Sequence, residues 1–260
     1  MRSAGLYLSA LLVVITGCSK KEKGVEPGEG LSIEVRLMGY DAVADTTLSF
    51  ELGDMRTENF DGEKGVPLVE FVPLELIPMY DKKTPDDPLD DIDRRPLYAY
   101  RIKGADGYNV HDNKGYDDQR WSELQNGYIG QESRRAEFDE SLGLAGAYRV
   151  TDVAVIEVYR KVEIVMADGS ALAELADFPA ITFQGERSVA LVELLREVSS
   201  PESYSYKIVA VDGYTGISPF TWEQVQTGYW LLASDRTGFD PDLGGKSKIR
   251  YVRSIEVVAP

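Results

Sequence analysis

Two scarce residue types limit the chemistry open to this chain. Its 260 residues contain one cysteine, Cys18, and one histidine, His111. A Ser-His-Asp triad would have to use His111, and a His-rich zinc site is excluded. A mixed His-carboxylate set has a single imidazole to draw on. His111 sits in Asn109-Val-His-Asp-Asn-Lys-Gly115, a polar, turn-rich stretch that reads as a solvated loop. With no second cysteine there is no disulfide within the chain. Carboxylates are plentiful, 44 Asp and Glu against 28 Lys and Arg, for a formal net charge of −16. No spacing among them selects a general acid-base pair, so the catalytic set is unknown. The densest run, Asp86-Asp87-Pro88-Leu89-Asp90-Asp91-Ile92-Asp93, lacks the Asp-x-Asp-x-Asp-Gly spacing that wraps calcium, and no metal site is expected. A surface this acidic repels nucleic acid, which is excluded as a partner.

The cysteine has another use. Arg2 precedes an apolar run from Leu6 to Ile15, too short for the roughly 20 residues of a membrane-spanning helix. Ile15-Thr16-Gly17-Cys18 then resembles a bacterial lipobox, which implies cleavage after residue 17 and lipidation of Cys18. Residues 18–30 are charged and glycine-containing without an apolar period, the composition of a flexible tether. The expected location is the bacterial cell envelope, with a lipid anchor as the membrane contact. Lipidation would consume the thiol and leave no thiolate for metal or nucleophilic work.

The elements that must position any site come twice. Tyr98-Ala-Tyr-Arg-Ile-Lys-Gly-Ala-Asp-Gly-Tyr-Asn109 aligns without gaps on Tyr204-Ser-Tyr-Lys-Ile-Val-Ala-Val-Asp-Gly-Tyr-Thr215. Trp121-x3-Gln125-x-Gly127-Tyr128 recurs as Trp222-x3-Gln226-x-Gly228-Tyr229, and Phe138-Asp139-x2-Leu142-Gly143 as Phe239-Asp240-x2-Leu243-Gly244. Val66-x-Leu68-Val69-Glu70 matches Val189-x-Leu191-Val192-Glu193. Four blocks in one order indicate a tandem duplication, placed at 31–162 and 163–260. Copy one carries a Pro- and Asp-rich surface insertion near 81–96.

In copy two the patterns predict strands at 162–166, 179–183, 204–211, 229–234 and 249–258. They predict helical or turn structure at 171–176, an amphipathic helix at 188–197 and a helix opening near 219. Residues 235–248 read as turns. The fold class is α+β: two tandem copies of a β-rich, mixed-sheet domain.

Val189-x-Leu191-x2-Leu194-Leu195, Asp212-Gly213-Tyr214, Leu231-Leu232-Ala233, Gly244-Gly245 and Ile249-Arg250-Tyr251-Val252 occur in an order that resembles the molybdopterin-binding domain of the sulfite oxidase family. The resemblance spans about 163–258 and, more weakly, copy one. It implies that fold and a molybdopterin cofactor. That family ligates molybdenum through a protein cysteine, which is lacking here, and its Gly-Pro-x-Arg loop is replaced by Gly244-Gly245-Lys246-Ser247-Lys248.

Two functional classes follow. One is a non-catalytic lipoprotein that binds a small molecule or a protein, with no cofactor. The other is an oxidoreductase component that holds a molybdopterin-type cofactor without a cysteine ligand. The missing thiolate and the acidic charge favour the first. Candidate ligand contacts are Asp106, Tyr108, Asp212 and Tyr214, in the duplicated turns that the resemblance places on the cofactor side, around a groove between the copies. The plain reading of each turn is structural: Asp binds local backbone, Gly takes positive φ and Tyr covers the turn.

Overall fold

Alternating β-branched and aromatic residues make strands the dominant regular structure of the chain. The computed structural model describes residues 32–60, 62–77 and 92–259. Cys18, the leader, the tether and most of the 81–96 insertion therefore lie outside the described residues. A hairpin opens the fold, β1 (Ser32–Met38) and β2 (Ala44–Glu51), followed by β3 (Glu58–Phe60) and β4 (Glu63–Pro67). Next come β5 (Tyr98–Gly104), α1 (Val110–Lys114), β6 (Gln119–Arg120), α2 (Trp121–Leu124), β7 (Gly127–Gly130) and β8 (Ala136–Phe138). The long strand β9 (Val153–Met166) leads to β10 (Gly169–Glu174), β11 (Ile181–Phe183), β12 (Glu186–Ala190) and α3 (Leu191–Leu194). The chain closes with β13 (Ser205–Ala210), α4 (Trp222–Gln226), β14 (Gly228–Leu231), β15 (Arg236–Phe239) and β16 (Val252–Val258). The fold is β-rich with several mixed or antiparallel sheets, and every α-helix among the described residues is about one turn long.

Each half carries a small antiparallel sheet in the same order, β3-β4-β7-β8 and β11-β12-β14-β15. The remaining strands form one eight-stranded sheet organised on β9. Up to Arg160, β9 runs parallel to β1 on one side and antiparallel to β5 on the other. From Lys161 onward it lies between antiparallel β10 and parallel β16. The first part of β9 thus closes copy one, and the second part opens copy two. The expected boundary between 162 and 163 falls inside this strand, so the copies share an element and have no linker between them.

Side chains alternate across the strands and build two cores. One gathers Val35, Tyr100, Ile102, Ile156 and Val158; the other gathers Val162, Ile164, Tyr206, Ile208 and Ile255. Full burial of each such side chain contributes about 1.5–3 kcal/mol. The repeated aromatics pack alike in both halves. Trp121 lies 5.7 Å from Tyr100 and Trp222 5.7 Å from Tyr206, while Phe60–Tyr128 and Phe183–Tyr229 stack at 4.2 and 4.1 Å.

Arg160 fastens the seam between the cores. Its Nε and Nη2 donate to Asp235 at 3.2 and 3.1 Å, and Nη1 and Nη2 donate to the carbonyls of Leu97 and Val252 at 2.9 and 2.8 Å. Trp230 Nε1 donates to the same carboxylate at 3.0 Å. A buried charge is tolerable only with this degree of pairing.

Three local expectations change. The 188–197 segment is strand β12 followed by one helical turn, because Glu186–Ala190 pairs on both sides and its residue spacing also satisfies a period of two. The 171–176 segment belongs largely to strand β10, with Ala173 turned into the core beside Val162. Strand β15 lies within the region read as turns, 235–248.

Candidate functional site

The two Asp-Gly-Tyr turns are built identically. Asp106 and Asp212 each accept a hydrogen bond from the following tyrosine's backbone N–H at 2.9 Å. Gly107 and Gly213 sit at φ +84° and +86°, where a Cβ would strain the backbone. Gly104 N–H donates to the Tyr108 carbonyl at 2.9 Å, and Ala210 N–H donates to the Tyr214 carbonyl at 2.9 Å. Asp106 and Tyr108 border an open hollow of about 210 Å³, and the Tyr108 hydroxyl donates to the Ala147 carbonyl at 3.2 Å. Tyr214 is exposed. The first turn adjoins Val153, the second adjoins Val252, abreast of about Lys161. At ~3.3 Å per residue, they are roughly 25 Å apart along β9. They do not form one site.

Another set of groups does converge, on the face of β5 and β9 opposite the first core. Arg101 on β5 is its hub. Its Nε donates to both Asp118 oxygens at 2.9 and 3.1 Å, and its Nη2 donates to Glu174 Oε2 at 3.1 Å. The guanidinium lies over the Tyr159 ring, 4.6 Å from its centroid. Tyr159 donates to Glu157 at 2.8 Å, and Glu157 also meets Lys103 Nζ at 2.7 Å. Asp118 and Glu174 are buried, at 1% and 3% exposure.

His111 joins them. The expectation of a solvated loop is corrected: His111 lies on helix α1, half-buried, and its Nδ1 is enclosed without a hydrogen-bond partner. Asn109 caps this helix by accepting from Asp112 N–H at 2.8 Å, and Gly115 ends it at φ +68°. Asn before and Gly after a short segment is the signature of a capped helix, a local signal outweighed by the polar composition. Donor atoms of His111, Asp118 and Glu174 all lie within 4.8 Å of one another.

Electrostatics here favour one neutral carboxyl. Burial, then the hydrogen bond and charge of Asp118, push Glu174 well above the usual carboxylate range. Burial opposes the charge of Arg101, but Asp118 and Glu174 outweigh it and hold the guanidinium firmly protonated. Burial also raises the Tyr159 hydroxyl, helped by its bond to Glu157.

Copy two provides an internal comparison. Arg101 matches Lys207, which makes a simple pair with Glu256 at 2.8 Å. Asp118 and Gln119 match Pro219 and Phe220. The Tyr100–Gln119 pairing corresponds to the Tyr206–Phe220 bridge. The network therefore exists once, with Arg101, His111 and Asp118 from copy one and Glu174 from copy two. Of the four, the sequence singled out only His111, as the chain's one imidazole, and read it as a loop residue; Glu174 lies 56 residues from Asp118, and only β9 brings them together.

A second candidate, an open cleft, lies elsewhere, on the small sheet of copy one. It is open, about 810 Å³, and the stacked Phe60–Tyr128 pair forms part of its wall. Around it stand Glu58, Glu70, Glu137, Asp139 and Glu140, with Arg149 bound to Glu137 at 3.1 Å. In copy two the counterparts of Glu58, Glu137 and Glu140 are Ile181, Gly238 and Pro241. The shared scaffold keeps the aromatic pair, and only copy one surrounds it with this many acids.

Among the described residues, no helix is long and apolar enough to cross a membrane. The chain was compared with protein-family models, curated proteins and solved structures, and none of them matches it.

Proposed function

We propose that this chain is a non-catalytic binding protein of the bacterial cell envelope, anchored by lipid on Cys18, whose copy-one cleft takes a cationic organic ligand. Its two repeats are read as degenerate relatives of the molybdopterin-binding domain of the sulfite oxidase family, put to binding and not to redox chemistry. The observation that carries the reading is the copy-one cleft. The repeats keep the same aromatic pair, yet copy one adds Glu58, Glu137 and Glu140 where copy two has Ile181, Gly238 and Pro241. Carboxylates around an aromatic wall suit a ligand that combines positive charge with flat or apolar surface. They oppose a phosphate-bearing cofactor, and the lack of a second cysteine removes the family's molybdenum ligand.

Triarginine is a suitable probe, because guanidinium pairs with carboxylates and stacks on rings. Calorimetric titration at low salt is expected to give one site per chain. Glu58→Gln with Glu140→Gln weakens it about tenfold, the loss of two favourable charge contacts of about 0.7 kcal/mol each. The same charge change at Glu197 and Glu202, outside the cleft, leaves the affinity unchanged. Absence of a saturable site, or equal weakening by both pairs of substitutions, overturns the reading.

A further inference from the structure

We infer that His111, Asp118 and Glu174 form a binding site for one divalent transition-metal ion, zinc foremost, at the seam between the two repeats. This site is separate from the copy-one cleft and does not depend on what that cleft binds. The first observation is convergence: one imidazole nitrogen and two carboxylate oxygens lie within 4.8 Å of one another, so small side-chain movements bring them to a common ion. The second concerns the imidazole itself. His111 Nδ1 is enclosed and has no hydrogen-bond partner, a costly state for a buried polar atom and one that a metal ligand would relieve.

The third observation is a charge imbalance. Asp118 and Glu174 are both buried, and among the described residues the ion pairs they make are both with Arg101. A bound cation would supply a second positive partner for the two carboxyls.

Arg101 does not block this role. Its bond to Glu174 is to Oε2, which leaves Oε1 outside that bond, and each Asp118 oxygen that it engages keeps a second lone pair for an ion. With its guanidinium resting on Tyr159, Arg101 serves as a positioning residue that orients both carboxylates from the outer side. A donor set of one nitrogen and two oxygens suits a borderline ion such as zinc. It offers too few oxygens for calcium, and an imidazole that magnesium does not favour. Three protein donors leave at least one position for water or a ligand. Copy two has no equivalent, because Pro219 stands where copy one has Asp118.

The test uses the untagged full-length chain in detergent, stripped with chelator. Zinc chloride titration is expected to show one tight site per chain, and cobalt chloride a visible absorption band that zinc abolishes. His111→Ala and Glu174→Gln each weaken zinc at least about tenfold, the effect seen when metal-site groups are removed. The chain has a single imidazole, so ¹⁵N-histidine NMR reports ligation in the unsubstituted protein, where folding is not in question. A ring-nitrogen shift on zinc addition supports the site. An unchanged imidazole spectrum at one equivalent of zinc, no stoichiometric binding, or a 1:1 affinity that His111→Ala leaves intact overturns it.

Discussion

At the scale of single residues, Lys161 shows how burial acts on a charge. It sits on β9 at 3% exposure, and burial lowers its pKa to about 8, with Glu163 opposing and Arg160, Arg120 and Arg253 adding to the shift. The unfolded chain holds this proton up to about 10.5, so between about pH 8 and 10.5 it binds more protons than the native state. Stability therefore rises with pH across that window, and the full penalty applies below it. A shift of this size corresponds to about 3 kcal/mol. Lys161→Met is expected to stabilise the protein at pH 7 by up to that amount and to remove the rise above pH 8. Urea denaturation at pH 7 and pH 10 checks it, and a variant with the wild-type pH slope contradicts the assignment.

At the scale of elements, the two halves show what each strand needs and where copy one departs. Strand β6 pairs with β5 through Gln119, which is fully buried with neither amide atom hydrogen-bonded. Its counterpart Phe220 is also fully buried and stacks on Phe239 at 5.2 Å. A buried amide without partners costs roughly 1–3 kcal/mol for each unsatisfied group. Gln119→Met keeps the length of the side chain and removes both polar atoms, so the denaturation midpoint should rise by the equivalent of about 1–3 kcal/mol. A fall in stability would mean that the amide has a partner that this strand pairing does not reveal. Helix α4 is closed by a reciprocal cap between Thr221 and Gln224, and α2 by Glu123 accepting from the Arg120 backbone at 2.8 Å. Helices of one turn have little internal cooperativity, so their caps and packing hold them.

At the scale of the whole molecule, β9 couples the cores. It contributes Ile156 and Val158 to one and Val162 and Ile164 to the other, and Arg160 between them binds Asp235, Leu97 and Val252. Unfolding of either half takes a strand from the other. Calorimetry is expected to show one transition for residues 31–260, and two resolved transitions would refute the coupling. Asp235→Ala leaves the Arg160 charge buried without its carboxylate, at a cost of about 3–5 kcal/mol.

The sequence by itself displayed the recurring blocks, the β-rich class and the Asp-Gly-Tyr turns. These depend on residues close together in the chain: an alternating strand, an Asp-Gly-Tyr in which only glycine takes φ near +85° comfortably, and blocks that recur in order. It also carried the Asn109 and Gly115 signals of helix α1, although polar composition made that segment read as a loop. Segment 188–197 was ambiguous locally, since apolar residues at 189, 191, 192 and 194 fit one helix face and also begin as a strand; pairing with β11 and β14 decided for the strand. The assembly of His111, Asp118 and Glu174 was decided by tertiary structure alone. Asp118 and Glu174 are ordinary acids in a chain with 44 of them. They meet only because β9 passes from one repeat into the next, placing β10 of copy two beside β5 of copy one on a single sheet face. Burial there, and not residue type, lifts Glu174 well above the usual carboxylate range.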